Sequence, residues 1–253
     1  MQRRSILFAA LVVTICVVGV VVPTNAHQGY SSASLKGRWA FVEKYHSGGA
    51  PGTAVGSFVF DGAGGCSYSG TEHGWIYTKP TAVTGECTYS ISKSGLGEIT
   101  GAPMVDVSFV VTEHGRALRY IFTGEKGYFG HGQMAPSSGR VSEETVLGRW
   151  SFIEDYQIGD AYGSAVGQVR FDSGGECAER WVEHGGAASY GPSGPGSRWV
   201  SCNYTVDKHG HGVITGGFVD QHFVVAEAGQ KMFFIDGDEN WPGYYGHGEM
   251  NRS

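Results

Sequence analysis

Beyond its first thirty residues this chain of 253 residues has no window of helical length whose apolar positions recur every 3.6 residues. That excludes helical bundles and α/β folds. Charge is scarce too: Asp, Glu, Lys and Arg make up 17% of residues, the formal net charge is −6, and no basic run occurs. A chain of that balance has no electrostatic footprint for nucleic acid or for an anionic membrane surface. Five cysteines are present, with no CxxC spacing, and no HExxH appears. Zinc spacings are therefore absent, and no metal site is assigned. There is no phosphate loop, dinucleotide fingerprint or nucleophile elbow, so nucleotide-dependent and serine-hydrolase chemistry have no support, and no cofactor is expected.

One long apolar run occurs, Ile6–Val22, preceded by Arg3-Arg4 and followed by Pro23-Thr24-Asn25-Ala26. Residues 1–26 read as an export signal cleaved after Ala26, where Thr24 and Ala26 supply the small residues a signal peptidase needs. An uncleaved anchor is the alternative, and 17 residues is at the short edge of a membrane span. Cleavage leaves no membrane span and sixteen basic against twenty-four acidic residues, net −8. The expected location is secreted or periplasmic.

Glycine is abundant, with 42 residues, and the chain is a tandem repeat. Leu35-Lys36-Gly37-Arg38-Trp39-Ala40-Phe41 returns as Val146-Leu147-Gly148-Arg149-Trp150-Ser151-Phe152, and Gly127-Tyr128-Phe129-Gly130-His131-Gly132 returns as Gly243-Tyr244-Tyr245-Gly246-His247-Gly248. The offset drifts from 111 to 116, as short loop insertions would make it. The expected organisation is a flexible lead-in at 27–34, a first unit at 35–134, a linker at 135–144 and a second unit at 145–253. Four cysteines remain after cleavage, Cys66/Cys87 and Cys177/Cys202, one pair per unit. In an exported chain this even count predicts two disulfides.

From Trp39 onward the pattern has period two, the strand signature. Trp39, Phe41 and Glu43 share one face; Trp150, Phe152 and Glu154 repeat it. Strands are expected at Val55–Asp61, Cys66–His73, Cys87–Ile91, Glu98–Thr100, Val105–Glu113, Leu118–Thr123 and Tyr128–Met134, giving about eight per unit. The fold class is all-β, with two tandem antiparallel β-barrels.

Gly37-Arg38-Trp39 and Gly148-Arg149-Trp150 resemble the opening signature of the calycins, the lipocalin and avidin-like barrels. The resemblance implies a Trp plugging the closed end of each barrel. It also implies a small apolar or amphipathic molecule as partner, held among Trp39, Phe41, Glu43, Phe58, Phe60 and His131, and among Trp150, Phe152, Glu154, Val169, Phe171 and His247. Some barrels similar to these act as cyclases or isomerases, including allene oxide cyclases and certain Diels–Alder enzymes. On that alternative Glu43 or Glu154 is the acid/base and His131 or His247 its partner, because a buried carboxyl with a raised pKa suits proton transfer at neutral pH. A structural reading stands beside both: the carboxyls are satisfied internally, the barrels are filled by their own side chains, and the protein is an adhesion or envelope module. If cleavage follows Ala26, His27 becomes the N-terminus and its amine and imidazole resemble the copper chelate of lytic polysaccharide monooxygenases. The copies also diverge, with Ser108 aligned to His222, Arg119 to Phe233 and Phe122 to Asp236.

Overall fold

The computed structural model describes residues 29–74, 77–101, 106–124, 126–137, 139–185, 198–217, 219–237 and 243–253. The export signal and His27 lie outside the described residues. Sixteen strands form two closed antiparallel barrels of eight strands each. The first contains β1 (Gly37–Ser47), β2 (Ala50–Phe60), β3 (Gly65–Gly74), β4 (Thr81–Ile91), β5 (Leu96–Thr100), β6 (Val107–Thr112), β7 (Ala117–Phe122) and β8 (Tyr128–Pro136). The second contains β9 (Gly148–Ile158), β10 (Ala161–Phe171), β11 (Glu176–Gly185), β12 (Val200–Val206), β13 (His211–Thr215), β14 (Gln221–Ala226), β15 (Lys231–Asp236) and β16 (Tyr244–Arg252). Each strand pairs with the next in sequence, and β8 closes on β1 as β16 closes on β9. This is the up-and-down arrangement, which leaves no sheet edge unpaired.

The first hairpin is longer than the sequence pattern predicts. A Gly-rich loop is expected before Val55; instead β1 and β2 pair throughout, from Gly37↔Phe60 to Ser47↔Ala50, across a two-residue turn. Gly48 and Gly49 both have positive φ there, which a tight hairpin turn requires and other residues resist.

The tryptophan of the repeated Gly-x-Trp is buried in the core of each barrel near the start of its first strand. A 3₁₀ turn at Ser32–Leu35 precedes β1, and a one-turn helix, α1 (Glu143–Val146), precedes β9. Trp39 Nε1 donates to Leu35 O at 2.8 Å, and Trp150 Nε1 donates to Val146 O at 2.8 Å. Both indoles are buried, so this bond satisfies the one polar atom each ring carries inward.

The interior explains the glycine content. On the inner face an aromatic residue repeatedly has glycine as its cross-strand partner, and the ring lies over it. In the first barrel these pairs are Phe41–Gly56, Tyr45–Gly52, Phe109–Gly97 and Tyr120–Gly132. In the second they are Phe152–Gly167, Tyr156–Gly163, Phe223–Gly212 and Phe234–Gly248. A small barrel has room for such rings only where the facing wall has no side chain.

Two disulfides, Cys66–Cys87 and Cys177–Cys202, tie β3 to β4 and β11 to β12 from within. They fit an oxidising, extracytoplasmic compartment. Their sequence separations of 21 and 25 residues correspond to on the order of 3 kcal/mol each in the chain-entropy model. Replacing Cys66 and Cys87 together by Ser should lower the unfolding free energy measured in urea by about that amount, whereas under fully reducing conditions the wild type and this variant should unfold with nearly equal free energies.

The barrels pack side by side. The outer face of β1 and β2 (Ala40, Val42, Val55), with Ala135 of β8, meets the outer face of β14 and β15 (Val224, Ala226, Phe233, Ile235) in a fully buried apolar cluster. Around it lie Ser57 Oγ and His211 Nε2 at 3.0 Å, Ser137 Oγ donating to Val225 O at 2.8 Å, and Gln133 Nε2 donating to Glu249 Oε2 at 3.2 Å. Among the described residues no helix is long and apolar enough to cross a membrane.

Candidate functional site

Trp39, Phe41, Glu43, Phe58 and Phe60 all face the interior of the first barrel and are buried, as are Trp150, Phe152, Glu154, Val169 and Phe171 in the second. Glu43 is 2% exposed and Glu154 6%. Their partners are tyrosines. Tyr120 Oη donates to Glu43 Oε2 at 2.6 Å, and Tyr244 Oη donates to Glu154 Oε1 at 3.0 Å. Nearby, Tyr45 Oη bonds to the buried Glu72. Burial pushes the Glu43 carboxyl up to about 8, the Tyr120 bond opposing and the Glu72 charge adding to the shift. It is therefore a neutral acid at pH 7.

In the second barrel the position of Phe122 holds Asp236, which faces Glu154 across the interior. Burial raises both carboxyls, Asp236 to about 6, and Asp236 lifts Glu154 further by its charge. Two carboxyls so placed cannot both ionise, and one keeps its proton. Gln221 Nε2 donates to Asp236 Oδ1 at 3.2 Å. Beside them is a void of about 20 Å³, lined by Glu154, Glu179, Glu183, Gln221, Asp236 and Tyr244 among others. It has room for about one water molecule.

The histidines expected to join these carboxyls lie outside the barrels. Glu43 pairs across the seam with Gly132, whereas His131 pairs with Lys44 on the outer face; Gly248 and His247 repeat this against Glu154 and Asp155. His131 does share its face with Phe129, but Phe129 is 59% exposed and stacks on His46. The inner positions of β8 are the glycines, because the Tyr120 ring occupies that space. No carboxylate–imidazole pair forms here. Tyr120, Tyr244, Glu72, Gln221 and Asp236 are the interior polar residues that strand parity in β1 alone did not reveal; parity in β7 and β15 would have found Tyr120 and Asp236.

The larger spaces are between and outside the barrels. A cleft of about 400 Å³ opens between the β1–β2 hairpin and the β9–β10 hairpin. The first barrel contributes Lys44, His46 and Thr53, and the second Asp155, Tyr162, Ser164, His184, Tyr245 and His247. Tyr162 is 63% exposed, and the Tyr245 ring lies 5.0 Å from that of His73. His247 Nδ1 is 3.1 Å from Asp155 O, so it carries the proton and donates, leaving Nε2 as an acceptor. Burial and the Lys44 charge hold His247 down to about 4, so the ring is neutral at pH 7. The Asp155 carboxylate accepts from Ser164 Oγ at 2.7 Å. A second groove, of about 500 Å³, meets the cleft at His247 and runs over β5 to β8, where Leu96, Val110 and Ile121 alternate with Arg119, His131 and Gln133. Among the described residues no group of three or more His, Cys, Asp or Glu is placed to hold a metal ion.

No family model matches this chain, and no curated protein matches it. Solved structures do. A protein of unknown function from the DUF3598 family of Nostoc punctiforme is similar at 8% identity over 87% of this chain and 97% of its own, with a TM-score of 0.28. Kievitone hydratase from Nectria haematococca is similar at 9% identity over 91% of this chain and 95% of its own, with a TM-score of 0.30. A porin-like protein from Bacteroides uniformis is similar at 8% identity over 85% and 95%, with a TM-score of 0.20.

Proposed function

We propose that this is an exported, calycin-like binding protein for a small amphipathic molecule, and that its site is the cleft between the barrels. The observation that carries this reading is where the space lies. The void beside Glu154 in the second barrel is about 20 Å³, whereas the cleft of about 400 Å³ gathers polar and aromatic side chains from both repeats. Lys44 is the cation that would meet an anionic group, Nε2 of neutral His247 accepts from a hydroxyl, and Tyr162 and Tyr245 offer ring faces. The ligand class that fits is a cyclic or aromatic carboxylate carrying a hydroxyl. The isomerase alternative needs substrate-sized space at Glu43 or Glu154: the void of about 20 Å³ beside Glu154 is too small for one, and although Glu43 belongs to the lining of the 500 Å³ groove, it is only 2% exposed. The Arg3–Ala26 segment and the two disulfides support export.

Titration calorimetry with benzoate, phenylacetate and their ring-hydroxylated forms tests this. Saturable binding is expected, strongest for a hydroxylated member, and weakened tenfold or more by either Lys44→Ala or Tyr162→Ala. Equal affinity in wild type and Lys44→Ala, or no heat with any member, would overturn the proposal.

A further inference from the structure

The contact between the two barrels is head to tail. One barrel presents its β1–β2 face and the other its β6–β7 face, the latter being β14 and β15 in the second repeat. Because the repeats are copies, each barrel carries both faces, and one chain uses only half of them. The second barrel's β9–β10 face is left over, and so is the first barrel's β6–β7 face.

Both leftover faces are apolar and exposed. On the second barrel Ile153, Val166 and Val182 are direct cross-strand neighbours in a row over β9, β10 and β11, and they are 54%, 53% and 45% exposed. On the first, Leu96, Val110 and Ile121 are 61%, 37% and 55% exposed and line the 500 Å³ groove. Ile153 and Val166 correspond to Val42 and Val55, and Val110 and Ile121 correspond to Val224 and Ile235, four residues of the buried cluster.

The departures between copies are matched across the contact. In the internal contact Thr71 and His211 line one small cleft between the barrels. Their counterparts on the free faces are Val182 and Leu96, so a polar pair has become an apolar pair on both sides together. Lys44 and His247 are close enough internally for the lysine to depress the imidazole; their counterparts are Asp155 and His131, an acid facing a base. Arg119 stands where Phe233 is buried, and Ser151 and Asn251 stand for Ala40 and Ala135, so the free faces are more polar than the internal ones and the association they support is weaker than a permanent one.

We infer that a second copy of this chain docks on the first through these faces, the Ile153–Val166–Val182 row of one molecule on the Leu96–Val110–Ile121 groove of the next. Such a contact is heterologous, so it closes into a ring or extends as a filament according to the rotation it imposes. It does not rest on the ligand proposed above, although Asp155 belongs both to that cleft and to this contact.

Sedimentation velocity over a hundredfold range of protein concentration tests it with two variants, Val166→Lys and Ile121→Lys, whose spoiled faces repel each other as well as their wild-type partners. Both positions are exposed, so the monomer should fold, which its near-UV circular dichroism will report. Wild type is expected to associate reversibly, and each variant alone to stay monomeric. An equimolar mixture of the two should form a species of two chains and no larger, because each variant retains the face the other lacks. A wild type that stays monomeric throughout overturns the inference. So does one variant that still dimerises alone, which would show a self-complementary contact, and so does a mixture that remains monomeric.

Discussion

Gly56→Val is expected to leave the first barrel unfolded or nearly so. Gly56 faces inward, and a β-carbon there would fall on the backbone of Ser69 and Gly70 in the adjoining strand and on the Phe41 ring. The ring is fully buried and the strand is hydrogen-bonded on both edges, so neither can withdraw cheaply. Overpacking of this kind costs upwards of about 3 kcal/mol, a large share of the roughly 5–15 kcal/mol that holds a domain folded. Gly127→Ala makes a control for backbone strain alone: Gly127 has φ +89 with nothing near its missing β-carbon, and the expected loss is about 1–2 kcal/mol. Urea unfolding of both variants separates the two causes. Adding Phe41→Leu to Gly56→Ala should recover part of the loss, since it removes the ring and leaves the backbone contact. Equal losses for Gly56→Ala and Gly127→Ala would mean that crowding under the ring is unimportant.

Glu43→Gln is expected to stabilise the protein in alkali and leave it unchanged in acid. The folded Glu43 carboxyl is raised from 4.5 to about 8. Below pH 4.5 it is protonated folded and unfolded, and it makes no pH-dependent contribution. Between 4.5 and 8 the unfolded chain releases the proton and the folded chain keeps it. The unfolded state therefore binds fewer protons, and stability falls as pH rises. At pH 8 the accumulated cost is on the order of 4 kcal/mol. Glutamine keeps an acceptor for Tyr120 and cannot ionise. The variant should melt with the wild type at pH 4 and well above it at pH 8. The histidines act oppositely. Burial lowers His222 and His247 to about 4, His73 adding to the first shift and Lys44 to the second. Their stabilisation is present above pH 6.5 and is lost as pH falls toward 4. A Glu43→Gln gain as large at pH 4 as at pH 8 would contradict the assignment of a neutral buried acid.

Much of the fold is legible in single residues. Period two in Trp39–Tyr45 and its return at Trp150–Tyr156 place both tryptophans, both phenylalanines and both glutamates inside, and the structure has them there. The cysteine pairs are legible because a disulfide between adjacent strands needs only that both residues face the same way. His131 shows where this reasoning ends. An aromatic neighbour of the same parity, Phe129, suggests an inner face, yet the inner positions are Gly130 and Gly132. The glycine pattern is the stronger signal in a barrel this small, because the rings of Phe122 and Tyr120 need those vacancies. That need arises from the register in which β7 pairs with β8, Tyr120 opposite Gly132, which parity within one strand does not record.

The sequence by itself determined two all-β units, their disulfides and the inward tryptophans and carboxyls, since each follows from alternation along one strand or from comparing the two repeats; closure into barrels was implied by the calycin resemblance of Gly-x-Trp. Tertiary structure alone decided what covers the outer faces. Alternation says that a strand has two faces but not what lies against either, so Val42 and Ile153 look alike in sequence. One is buried against Val224 and Ile235, and the other stands 54% exposed. It also decided that the void beside Glu154 is only about 20 Å³ while the clefts of about 400 and 500 Å³ lie between and outside the barrels, because the volume left inside a barrel is a small difference between wall diameter and the summed bulk of all inward rings, and no single strand records that difference.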